Sequence, residues 1–90
     1  MATIDRGVLR HPQFEIRVAE LEVDYPRARE VIEGAIWSIA RFPDQDGIRL
    51  SKYDVWQAHL LGGDLLPPVH IYYTFNRRFV SLLTIRRIES

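Results

Sequence analysis

A short stretch near the end of the 90-residue chain collects the side chains best able to do chemistry: His70, Tyr72, Arg86 and Arg87. Imidazole titrates near neutrality, which makes His70 the leading candidate for moving a proton. A guanidinium matches the oxygens of phosphate two at a time, so Arg86 and Arg87 are candidate phosphate ligands. Acid–base chemistry on a phosphate ester without a metal requires a base for the attacking hydroxyl, a cation for the charge that develops on phosphorus, and an acid for the leaving oxygen. His70, Arg86 and Arg87 are the candidate catalytic set for such a reaction. Neighbours on a strand point to opposite faces, so only one of the two arginines can share a side with His70. Arg86 keeps step with Val80 and Leu82, whereas Arg87 keeps step with Phe79, Leu83 and Ile85. Both rows are apolar, and alternation leaves the choice open. The plain alternative is that the pair solvates a strand end and guards an edge.

Around this set, Tyr72 could stack on a nucleobase or simply pack across a sheet. Arg77, Arg78, Arg49 and Lys52 are the further candidates for contact with a phosphate backbone at the rim. His59 follows the logic of His70 one strand earlier, and pairing of the two strands would bring the imidazoles together. The three histidines have unrelated spacings and no cysteine is present, so no metal motif or cofactor is implied. Gly62-Gly63 lacks the Lys-Ser/Thr and helix start of a phosphate loop and reads as a connection.

The elements that must position these groups are read from periodicity. Val69, Ile71, Tyr73 and Phe75 alternate with His70, Tyr72 and Thr74, the pattern of a half-buried strand. Asn76-Arg77-Arg78 turns it into a last strand, Phe79 to about Arg87. Tyr53 to Leu61 form the strand before it, with Trp56 in the core. Phe14, Ile16 and Val18 alternate as a first strand, with a slip of phase at Ala19-Glu20. Residues 1–12 show no periodicity and are expected to be an irregular arm; residues 13–90 form the domain proper. Asp24 and Pro26 open a helix, and Ala28, Val31, Ile32, Ala35, Ile36 and Ile39 give it one apolar stripe ending before Pro43. Trp37 sits opposite that stripe, among Glu30, Glu33 and Arg41, where a partner chain or the arm around Val8-Leu9 would have to cover it. The expected fold is α+β: one small domain with one main helix, a second short one being the permitted variant, on a twisted, mostly antiparallel four-stranded sheet.

Composition narrows the function. An apolar fraction of 47% with 27% charged residues is that of an ordinary globular domain. Net charge is zero, against strong non-specific binding to nucleic acid. The charge is uneven, since residues 46–90 carry six basic and four acidic side chains. No apolar run approaches a membrane span and no signal-peptide core opens the chain, so a cytoplasmic location is the default expectation.

The run Ile36-Trp-Ser-Ile-Ala-Arg-Phe-Pro43, then Gly47, Tyr53-Asp-Val-Trp-Gln-Ala58, Ile71-Tyr-Tyr-Thr-Phe75 and Val80-Ser-Leu-Leu-Thr-Ile-Arg86 resembles the RelE/ParE toxins of type II toxin–antitoxin systems. The likeness spans roughly residues 26–88 in element order and apolar spacing. It implies a compact toxin fold and an antitoxin partner. In the RelE branch it implies metal-independent cleavage of messenger RNA on the ribosome, and in the ParE branch poisoning of a topoisomerase without nuclease chemistry. The chain departs from the RNA-cleaving pattern on its middle strand, which offers Tyr53, Gln57 and His59 in place of basic groups. It also has no basic or aromatic tail after the last strand, so the catalytic set reads as incomplete. The alternative is a non-catalytic protein-binding module of the same fold, associating through Trp37 with another protein or as a homodimer.

Overall fold

A computed structural model describes residues 5–50 and 52–88. The chain runs β1 (Gly7–Arg10), α1 (Pro12–Asp24), α2 (Ala28–Arg41), β2 (Gly47–Arg49), β3 (Trp56–Leu60), a short 3₁₀ turn (Gly63–Leu65), β4 (Val69–Phe75) and β5 (Phe79–Arg87). These strands make one five-stranded sheet in the order β1-β5-β4-β3-β2. The pairs β2–β3, β3–β4 and β4–β5 are antiparallel, whereas β1 runs parallel to β5. The fold is α+β on a mostly antiparallel sheet, as expected, but the sheet has five strands rather than four, β1 adding a parallel edge.

Residues 12–24 correct the strand reading. Phe14, Val18 and Leu21 are buried, and their spacing of i, i+4, i+7 is one face of a helix. Ile16, counted in the alternating row, is 53% exposed, and Val23 is 79% exposed. The slip of phase at Ala19-Glu20 was therefore the 3.6-residue period showing through. Pro12 occupies the first turn, where its missing N–H costs nothing, and Gln13, Glu15, Arg17, Ala19 and Glu20 are good helix formers.

The main helix α2 begins later than Asp24-Pro26 suggested. Asp24 is the last residue of α1, and Tyr25-Pro26-Arg27 links the two helices. Ion pairs fasten them together: Arg29 reaches Glu15 at 3.3 Å and Glu22 at 3.0 Å. Arg10, at the end of β1, makes a bidentate pair with Glu33 at 2.6 and 2.8 Å, tying the edge strand to α2.

β1 corrects the irregular arm over Gly7–Arg10, and residues 1–4 of that expected arm lie outside the described residues. It is a strand because Val8 joins the partly buried shell of the core and its backbone docks on β5, beginning with Gly7 N–H donating to the carbonyl of Arg78 at 2.8 Å. That register pairs residues about seventy positions apart, so no local period announces it. β3 is shorter than the Tyr53–Leu61 expectation, and both Tyr53 and Leu61 are exposed.

Both helices pack on one face of the sheet. Phe14, Val18, Ile32, Ile36 and Ile39 form a single cluster with Ile71, Tyr73, Val80, Leu82 and Ile85. Trp56 packs at the edge of this cluster with its ring 5.3 Å from that of Phe75. Tyr73 is fully buried, and its hydroxyl donates to the carbonyl of Pro43, anchoring the end of α2 to the sheet. Burial first, then Asp46 and Asp44, push the Tyr73 phenol well above its ordinary range, so it remains a donor. Gly47 is glycine because a Cβ there would run into that hydroxyl and the Gln57 carbonyl.

Candidate functional site on the open sheet face

Among the described residues, no helix lies against the opposite face of the sheet, and register decides which side chains stand there. His59 pairs with His70, Gln57 with Tyr72, His70 with Arg86, and Tyr72 with Thr84. Directly paired residues point the same way, so one patch across β3, β4 and β5 carries all six. The core-facing row (Ala58, Ile71, Ile85) lies between them on the other side.

A β-bulge settles the question of the arginines. Tyr72 pairs with Thr84 but Tyr73 pairs with Leu82, so Leu83 is an extra residue in β5. Alternation changes phase there: Val80, Leu82 and Ile85 all face the core, whereas Ser81, Thr84 and Arg86 face away. Arg86 therefore joins His70, and Arg87, paired with Val69, points to the helix side.

The groups on the patch touch. The rings of His59 and His70 meet edge to face with centroids 5.2 Å apart, and His70 meets Tyr72 at 6.2 Å. Gln57 lies between them, its Nε2 3.2 Å from His70 Nδ1 and donating to Tyr72 Oη at 2.9 Å. Partial burial, and then the neighbouring His59, lower the His70 pKa below its ordinary 6.5, so its imidazole is neutral at pH 7. With the Gln57 amide donating to Nδ1, the His70 proton sits on Nε2, which can then donate. With that amide turned over, Oε1 accepts Nδ1–H and frees the Nε2 lone pair to act as a base.

Round the C-terminal end of β5 runs a cleft of about 740 Å³, lined by His70, Tyr72 and Arg86 from the open face and by Arg87, Arg17, Glu20, Asp24 and Tyr25 from the helix side. Arg17 pairs with Glu20 across one turn of α1 at 3.2 Å. The cleft therefore mixes guanidinium with carboxylate, and a polyanion would meet repulsion as well as attraction there. Among the described residues, no cluster of His, Asp and Glu is placed to hold a metal ion.

The remaining candidates lie elsewhere. Arg49 pairs with Trp56 and so faces the helix side of the sheet, away from His70. Lys52 is exposed in the bend after β2. Arg77 and Arg78 occupy the exposed β4–β5 turn, whose backbone is held by Asn76 Oδ1 accepting from Arg78 N–H at 2.8 Å and Phe79 N–H at 2.9 Å. That turn is roughly 25 Å along β5 from Arg86 at the usual rise per strand residue. Trp37 stays on the helix side: it is 59% exposed, the Arg41 guanidinium lies 3.8 Å above its ring, and β1 runs alongside without covering it. Gln57 and Thr84 belong to the patch but were not among the candidates. Gln57 stands two residues from His59, so alternation along β3 carried the signal for it; for Thr84 the bulge concealed it.

No family model matches the chain, and no curated protein matches it at a significant level. By structure it is similar to a chain of the toxin–antitoxin complex RelBE2 from Mycobacterium tuberculosis, with a TM-score of 0.72 and 18% identity over 94% of this chain and 100% of that one. At that identity the likeness shows the fold alone: this chain and that chain of the complex share one α+β architecture, in line with the resemblance carried by its C-terminal half.

Proposed function

We propose that this chain is the toxin-like member of a toxin–antitoxin pair and engages RNA through the open face of its sheet. The observation that carries this is the convergence of His70, Tyr72 and Arg86 on one uncovered face, in a fold shared with a toxin–antitoxin complex. On this reading Arg86 clamps the scissile phosphate and stabilises the charge that builds on it. His70, neutral at pH 7, accepts the 2′-hydroxyl proton through Nε2 in the turned-over orientation of the neighbouring Gln57 amide, whose Oε1 then accepts from Nδ1–H and holds the ring. Tyr72 is within hydrogen-bond reach of the same amide and serves either as a stacking platform or as the acid for the leaving oxygen. The antitoxin would cover this face and so block access.

Induced expression should arrest growth and yield messenger RNA fragments detectable by primer extension, and Arg86→Ala or His70→Ala should abolish both. A second reading is a non-catalytic module that binds protein in the same pathway. It is favoured by the scarcity of cations: among the described candidates, Arg86 alone has a register that places it on the patch. Growth arrest without RNA fragments, insensitive to His70→Ala, would select this second reading, with a topoisomerase or the ribosome as the target. Growth indifferent to expression would defeat both.

A further inference from the structure

The outward stripe of α2 has no part in the sheet-face site, and its residues follow a pattern of their own. Glu30, Gly34, Trp37 and Arg41 lie at i, i+4, i+7 and i+11, within about 60° of one another around the helix. The opposite side of the same helix places Ile32, Ile36 and Ile39 in the core. Two members of the stripe lack an explanation within a single protomer. Trp37 is largely in solvent, with one face of its ring under Arg41. Gly34 sits in mid-helix with ordinary backbone angles, and a Cβ there would meet nothing within 4 Å. Neither packing nor backbone strain within the protomer requires glycine, although glycine weakens a helix.

We propose that this stripe is the two-fold interface of a homodimer. Acid, small, large, base is its own complement when two such helices meet antiparallel. A two-fold axis crossing α2 between Ala35 and Ile36 sets Gly34 of one copy opposite Trp37 of the second, and Glu30 opposite Arg41. Each contact then occurs twice, as an isologous interface requires. Gly34 lets the second indole approach the helix backbone, and tryptophan and arginine are the residues that most often anchor such contacts. The ion pairs now made by the charged ends, Glu30 with Arg27 at 2.8 Å and Arg41 with Asp5 at 3.1 Å, are surface pairs that exchange at little cost. A groove of about 490 Å³ beside Trp37, floored by Val8, Ile36 and Ala40, extends the apolar area next to the stripe. One helical stripe remains smaller than a standard interface, so the dimer is concentration-dependent rather than obligate.

Sedimentation velocity on the chain purified alone, over a concentration series up to its solubility limit, tests this. A monomer–dimer equilibrium is expected, and Gly34→Arg or Trp37→Ala should each weaken it by about tenfold or more. Gly34→Arg has open space to enter and leaves the fold intact, which circular dichroism checks. Glu30→Arg and Arg41→Glu should each dissociate the dimer when alone, because each sets two pairs of like charges face to face. Mixing those two variants in equal amounts should restore association as a mixed dimer, in which every charge again meets its opposite. A chain monomeric at all concentrations overturns the proposal. So does a dimer indifferent to Gly34→Arg, a mixture that stays apart, or a different protein occupying the stripe while the chain alone is monomeric.

Discussion

His70 illustrates how much one side chain owes to its cross-strand neighbours. Alternation in β4 put it on the polar face, but its chemistry comes from Gln57 and His59 on the adjacent strand and Arg86 on the other side. A histidine whose folded pKa lies below its unfolded value binds its proton more weakly when folded. Stability is therefore lost as pH falls through about 6.5, and the loss levels off below the folded pKa. Replacing His59 by glutamine removes the second cause of that depression, so the His70 pKa should move upward towards 6.5 while burial keeps it below. An NMR titration of the imidazole reads this directly, and an unmoved pKa in His59→Gln would show that the rings do not interact as placed. Arg86 makes the complementary point. Its identity as the guanidinium beside His70 depended on Leu83, a single residue out of step in β5.

At the level of elements, α1 shows how two periods compete within a few residues. Phe14, Ile16 and Val18 satisfy alternation, yet Phe14, Val18 and Leu21 satisfy the helix, and burial follows the second set. Over five residues the two templates cannot be told apart; over thirteen the helix accounts for every buried position. Mutation separates them in solution. Phe14→Ala should cost about 3 kcal/mol by cavity formation in the core. Ile16→Ala should stay within about 0.5 kcal/mol, since its side chain is mostly in water already. Urea unfolding compares the two, and equal losses would restore the strand reading. α2 was the clearest element in the chain, since its apolar stripe is long enough to exclude a strand. Its start was misplaced because Asp24 and Pro26 supply good capping chemistry at what is in fact the junction of two helices.

For the whole molecule, charge is the decisive property. Net charge is zero, and the cleft beside the patch sets Glu20 and Asp24 against Arg86 and Arg87. On the function proposed above, RNA binding draws on one or two phosphate contacts plus stacking rather than on a broad basic field. The logarithm of affinity for a short single-stranded RNA should then fall with the logarithm of salt concentration with a slope of only about −1. Fluorescence anisotropy across a salt series measures that slope. A value several times steeper would mean that further cations such as Lys52, Arg77 and Arg78 also hold the strand, which for Arg77 and Arg78 their distance from Arg86 argues against.

Local sequence was enough for what rests on short-range repetition. The strands β4 and β5, the Asn76 turn, the apolar face of α2 and the exposure of Trp37 all follow from spacing within about a dozen residues, because side-chain direction along one element is a local property. What only the folded chain decided involves partners distant in sequence. The docking of Gly7–Arg10 on β5, the bulge that turns Arg86 to the side of His70, and the turning of Arg49 and Arg87 away from it depend on register between strands. Register is set by how apolar rows from the whole chain close over one core, and no single segment carries that information.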